Sequence, residues 1–92
     1  MKYSVEYTEK AVKSIKKLDP GVRKFLKAWI DKNLVDCENP RIYGKGLSEN
    51  RSGQWRYRVG DYRILADIQD DKLVIIVIKI GHRRNVYDDL KR

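Results

Sequence analysis

The sequence predicts an α+β domain, with a helical hairpin laid on one face of a largely antiparallel sheet. Three observations predict it. Strand-like runs open the chain and fill its second half, two segments of helical period stand between them, and a two-residue turn joins two of the later runs. The expected order is β-α-α-β-β-β in a single domain, residues 1–92, with a short C-terminal segment. Ninety-two residues allow one modest core, since a chain of this size buries roughly two-thirds of its unfolded surface.

The first strand is Lys2–Tyr7, which sets Tyr3, Val5 and Tyr7 against Lys2, Ser4 and Glu6. Thr8 is suited to cap the helix that follows, where Ala11, Val12, Ile15 and Leu18 recur at helical spacing. Asp19-Pro20 restarts a helix, with Asp at the cap and Pro in the first turn, where its missing N–H costs nothing. Val22, Phe25, Leu26, Trp29, Ile30 and Leu34 form its apolar stripe, so Trp29 reads as core. Lys10, Lys13, Lys16, Lys17, Lys24, Lys27 and Lys32 fall on other faces. They read first as a solvated surface and second as a weak phosphate-facing patch.

Asn39–Gly53 is rich in Gly, Ser, Asn and Pro and too polar to form an element of its own, with Leu47 as its anchor. Gln54–Arg63 then reads as a tight hairpin turning at Gly60-Asp61, because Gly at the first central position suits a two-residue primed turn. That loop pairs Val59 with Tyr62, Arg58 with Arg63, Tyr57 with Ile64 and Arg56 with Leu65. Arg56, Arg58 and Arg63 share one face; Trp55, Tyr57, Val59, Tyr62 and Ile64 share the other. Arg58 and Arg63 are thus opposed like charges, an arrangement that costs stability and points to an anion site.

After a turn at Asp70-Asp71, the β-branched run Leu73–Ile80 suggests a central strand buried on both faces. Its register stays open, because a three-residue loop at Asp70–Lys72 would swap its faces relative to a two-residue one. Gly81 is expected to stop it, and His82-Arg83-Arg84-Asn85-Val86-Tyr87 follows at its end.

Lys and Arg total 21 against 13 acids, a net charge of +8 that favours nucleic acid, an acidic protein or an anionic surface as partner. No apolar run approaches the roughly 20 residues a membrane helix needs, and Met1–Tyr7 does not resemble a secretory signal. One Cys and one His exclude an internal disulfide and a Cys/His zinc cluster. A cytoplasmic protein without metal or cofactor, and without a membrane partner, is expected.

Arg56, Arg58, Arg63, His82, Arg83, Arg84 and Tyr87 form the candidate site, with Lys45 and Arg51 extending the basic face. A nucleophilic Ser with a partnered base, a Gly-rich phosphate loop before a helix and paired carboxylates are all missing, so peptide and glycoside hydrolysis are poorly supported. Arginine forks match phosphate oxygens, and Tyr or His beside them stacks on a base or moves a proton. The set suits metal-independent RNA cleavage, in which the ribose 2′-hydroxyl is the nucleophile. Arg63 and Arg83 are the candidates for offsetting charge on the phosphate, His82 and Tyr87 for proton handling.

The hairpin Gly60-Asp61-Tyr62-Arg63-Ile64, the β-branched last strand and Gly81-His82-Arg83-Arg84-Asn85-Val86-Tyr87 together resemble the RelE/ParE superfamily of toxins, and the closing run resembles its RelE branch. The likeness spans Tyr3 to Tyr87. It implies a ribosome-dependent endonuclease that cuts mRNA in the A site and is neutralised by an acidic, RelB-like antitoxin, with operator DNA met only through that complex. By the same resemblance Arg63 stabilises the scissile phosphate, Arg83 serves as general acid or charge stabiliser, and Tyr87 stacks on the substrate base. Arg56 and Arg58 stand where the best-known branch has lysines, one a proposed base. Arginine is a poor base, so either His82 takes that role or these positions supply charge alone. Ser48 replaces a basic loop residue of some relatives. Two other functions compete: a gyrase-poisoning toxin of the ParE type, and a non-enzymatic RNA-binding module.

Overall fold

In the computed structural model, residues 1–46 and 54–84 are described. The sheet has the order β1-β5-β4-β3-β2, with β1 Ser4–Tyr7, β2 Lys45–Gly46, β3 Gln54–Val59, β4 Tyr62–Gln69 and β5 Val74–His82. Helices α1 (Glu9–Lys16) and α2 (Pro20–Asn33) precede all strands but the first. Every strand pair is antiparallel except β1 with β5. The expected class and order hold, with the two-residue β2 added inside the stretch expected to form no element.

The core lies between the helices and one sheet face. Leu26, Ile30 and Leu34 of the α2 region meet Tyr57, Ile64, Ile75, Val77 and Ile80, all buried. Trp29 packs on Tyr57 and Tyr43, each at 5.7 Å between ring centroids. Phe25, expected in the stripe, is 56% exposed. One residue is about 100° of helix, so Phe25 sits a full step away from Leu26 and beyond the stripe's edge.

Helix α1 is bolted to β5 by two hydroxyls. Thr8 Oγ accepts from Ala11 N–H at 3.0 Å, the expected cap, and donates to the Ile78 carbonyl at 3.0 Å. Ser14 Oγ donates to the Ala11 carbonyl and accepts from Ile80 N–H at 3.1 Å. These bonds matter because β1 ends at Tyr7, opposite Val77, and leaves the second half of β5 without a strand partner on that side. A β-bulge falls at the same place: Leu65 pairs with Lys79 and Ala66 with Val77, so Ile78 is the extra residue. Pro20 opens α2 as expected, whereas Asp19 makes no side-chain cap bond.

The β4–β5 turn takes in Leu73, which was expected to begin the strand and instead adopts φ 53°. Beyond it β5 runs through Gly81 to His82 rather than stopping at Gly81. The segment after α2 is strapped to the sheet by aromatic donors. Tyr57 donates to the Pro40 carbonyl at 2.7 Å and Trp55 Nε1 to the Tyr43 carbonyl at 2.6 Å. Gly44 then turns the chain at φ 81°, where a Cβ would overlap the Arg56 carbonyl oxygen; this close approach seats Lys45 opposite Arg56.

A polar clasp completes the strap. Asp70 takes both arms of the Arg41 guanidinium, at 2.9 and 3.1 Å, and the Tyr3 hydroxyl at 2.6 Å. The Arg41 bond first, then the Tyr3 bond, holds the Asp70 carboxyl below its usual range. A depressed folded-state value stabilises at pH above the unfolded value and is lost as pH falls through the folded one. Because the pair is largely exposed, Asp70→Asn is expected to cost about 0.5–1 kcal/mol at neutral pH. The difference from wild type should shrink in denaturant titrations as pH falls below the ordinary carboxylate range and through the lowered folded-state value, where position 70 becomes neutral in both proteins.

Candidate functional site

The hairpin register decides which side chains meet. Of the two central residues only Gly60 is at positive φ, 60°, as a type II′ turn requires. Val59 therefore pairs with Tyr62, Arg58 with Arg63, Tyr57 with Ile64 and Arg56 with Leu65, as the sequence predicts. Tyr57 and Ile64 point to the helices, so their neighbours in the alternation occupy the opposite, open face. Three rows cross that face. One runs Arg58, Arg63, Gly81; the next runs Lys45, Arg56, Leu65, Lys79; the third runs Gln54, Asp67, Ile76, Glu6. Five cations thus stand on adjoining rows, with two carboxylates bounding them.

Lys79 is the member that sequence reading missed. Its face depends on the β4–β5 turn and on the bulge at Ile78, and no local pattern reports either.

Arg63 is the most constrained of the set. It is 3% exposed, and its Nη1 donates to the Gly60 and Tyr62 carbonyls, both at 2.9 Å. Two turn carbonyls thereby fix one arm of the guanidinium, at the end of the hairpin where Arg58 lies across from it. The main chain of Arg83 is tied to the same turn, its N–H donating to the Asp61 carbonyl at 2.8 Å. Hairpin turn, Arg58, Arg63 and the start of the C-terminal segment are accordingly one unit. Arg58, Arg83 and Arg84 are exposed, and Arg56 is half-buried. Tyr87 and Arg51 lie outside the described residues, as does Ser48.

His82 is not on this face. It pairs with Tyr62, one step out of phase with Arg63 and Gly81, and its ring stands edge-on to Tyr62 at 5.7 Å and 81°. Its Nδ1 accepts from Arg84 N–H at 3.3 Å. Strand alternation separates it from Arg63, while it stays beside Arg83 and Arg84 in the chain. Among the described residues, no group of three or more His, Cys, Asp or Glu side chains is placed to share a metal ion.

Chemically, the open face is a rigid lattice of permanent positive charge at graded depth. Arginine stays protonated, so it can stabilise an oxyanion but not remove a proton. Like charges at directly opposed strand positions are unfavourable.

The chain belongs to the family described as the ParE toxin of type II toxin–antitoxin systems, parDE, whose model matches residues 5–87. It is thus a RelE/ParE-type toxin, and its curated relatives carry RelE-branch names. The toxin RelG of Mycobacterium tuberculosis is 30% identical over 88 residues, covering 95% of this chain and 98% of that protein. The mRNA interferase toxin RelE of Escherichia coli K12 is 34% identical over 85 residues, covering 90% and 85%. Among solved structures, the toxin–antitoxin complex RelBE2 of M. tuberculosis superposes with TM-score 0.79 at 26% identity, over 90% of this chain and 93% of that one. A double arginine mutant of E. coli RelE in the free state gives 0.74 at 28% identity, over 98% and 95%.

Replacing Arg58 by Thr removes the opposed pair and is expected to stabilise the fold by about 0.2–1 kcal/mol in thermal or denaturant unfolding. The same variant should bind anions more weakly.

Proposed function

We propose that this toxin is a ribosome-dependent mRNA endonuclease, cutting the codon in the A site by attack of the ribose 2′-hydroxyl on the adjacent phosphate, without a metal. The observation that carries this reading is the Arg58–Arg63 row, which confronts a phosphate with two guanidiniums that the fold alone would not place together. In the reaction the 2′-hydroxyl gives its proton to solvent water as its oxygen bonds to phosphorus, the P–O5′ bond breaks with the 5′-oxygen taking up a proton from solvent, and negative charge builds on the non-bridging oxygens. Arg63 is assigned to that charge: two carbonyls fix one arm of its guanidinium, and because the residue is buried it reaches a phosphate only once it is uncovered, with its aim already set. Arg83 is assigned the leaving-group side, Arg56, Arg58, Arg84, Lys45 and Arg51 the flanking phosphates, and Tyr87 the stacked base. His82 is assigned to positioning: its bond to Arg84 N–H shapes the turn that presents Arg83 and Arg84.

An acidic, RelB-like antitoxin is the proposed protein partner, and the cytoplasm the place of action. The charge of +8 suits both partners, and the structural relatives include RelE–RelB complexes from Escherichia coli and Methanococcus jannaschii. The family model's ParE description favours a second reading, poisoning of DNA gyrase with no RNA cut.

Mapping mRNA ends in a translating extract separates the two. Wild type should produce cuts at A-site codons of translated messages, and Arg63→Ala or Arg83→Ala should slow them by about 10²–10³ each. Intact mRNA with inhibited supercoiling would replace the nuclease by the gyrase reading. His82→Gln should leave the shape of the pH–rate profile unaltered, whereas removing a histidine base would abolish a limb between about pH 5 and 8.

A further inference from the structure

A second cationic surface lies along the edge of the sheet, between α1 and β5. Lys10, Lys13 and Lys17 recur at three and four residues and so occupy one flank of α1 and its C-terminal cap, all of them exposed. With Glu9, Ser14 and Lys79 they line a groove of about 400 Å³. A second hollow of about 460 Å³ shares Ser14, Lys17 and Lys79 with it and continues to Tyr62, Gly81 and His82, passing Leu18, Asp19 and Ile80. The two form one trough. Four lysines line it against Glu9 and Asp19, and it ends at the edge-to-face pair of Tyr62 and His82. Lys79 belongs to this trough and also to the Lys45–Arg56–Leu65 row, so it joins the trough to the arginine face.

We infer that the α1–β5 trough binds a single-stranded segment of RNA flanking the strand held on the arginine face. Cations tracking a backbone beside aromatic rings are the composition of single-strand sites, where phosphates supply affinity and rings accept bases. An acidic protein chain would share the charge but would also need an apolar seat. A more apolar seat adjoins the trough across Leu18 and Ile80: a hollow of about 290 Å³ lined also by Tyr7, Val12, Ile15, Leu26 and Ile30, with Lys16, Arg23 and Lys27 at its rim, and a protein chain would take that hollow first. The inference extends the RNA-cleaving reading, yet it concerns binding alone and can be tested without cleavage.

The probe is a short fluorescent single-stranded RNA, fully 2′-O-methylated so that it cannot be cut, titrated into purified toxin at several salt concentrations. Lys10→Gln/Lys13→Gln/Lys17→Gln is compared with wild type and with Lys24→Gln/Lys32→Gln on α2, each checked for folding by circular dichroism. The trough variant should bind at least about tenfold more weakly near 0.1 M salt. Its slope of log affinity against log salt should fall by about 2, three contacts at roughly 0.7 each. The α2 variant should stay within about twofold of wild type, and antitoxin affinity should be unchanged in the trough variant. Three results would overturn the inference: unaltered RNA affinity and slope, an equal loss in the α2 variant, or lost antitoxin binding with RNA binding intact. Because the probe is uncleavable, intact mRNA in the extract would refute the nuclease while leaving a trough-dependent RNA affinity standing.

Discussion

A change of one residue in the loop at Gly60-Asp61 would exchange the two faces of β4 relative to β3, sending Arg63 toward the helices and Ile64 toward solvent. The type II′ turn forbids it, because strand periodicity is two and the loop length fixes the phase. The same turn supplies the carbonyls that hold Arg63 and the one that holds the main chain of Arg83. Phase of the sheet, orientation of the central guanidinium and departure point of the C-terminal segment therefore depend on four consecutive residues.

That arrangement works against the fold. Two arginines stand opposite one another, and one of them is buried on the open face. The opposite face offsets the cost: Tyr57, Ile64, Ile75, Val77 and Ile80 are all nearly inaccessible and pack against Leu26 and Ile30. Functional charge is thus carried on strands whose other side is the core, which gives it more positional precision than a loop would. Lys45 obeys the same logic, since Gly44, Trp55 and Tyr57 pin the strap that delivers it.

Features governed by neighbours in the chain were legible. Thr8 caps α1, Pro20 opens α2, and the hairpin register follows from Gly60. Features set by distant contacts were not. β2 exists because Gly44 lets the strap approach β3 (a pairing that no periodicity in residues 39–53 announces). Lys79 and His82 took their faces from the β4–β5 turn and the Ile78 bulge, so grouping His82 with Arg63 joined residues that strand alternation divides. Phe25 shows the limit of a stripe read by spacing alone: it satisfies the interval from Val22 and still falls outside the buried arc.

The hydroxyls of Thr8 and Ser14 have one more consequence. An unpaired strand border invites another chain to add to the sheet, and most folds shield it with charge, proline or a covering element. Here the exposed half of β5 is occupied by side chains rather than by backbone: one carbonyl and one amide that a foreign strand would seek are already taken by α1. Detachment of α1 and opening of this border are consequently one event. Shedding the first helix would free that carbonyl and that amide for another chain, so α1, short as it is, covers the border of the sheet.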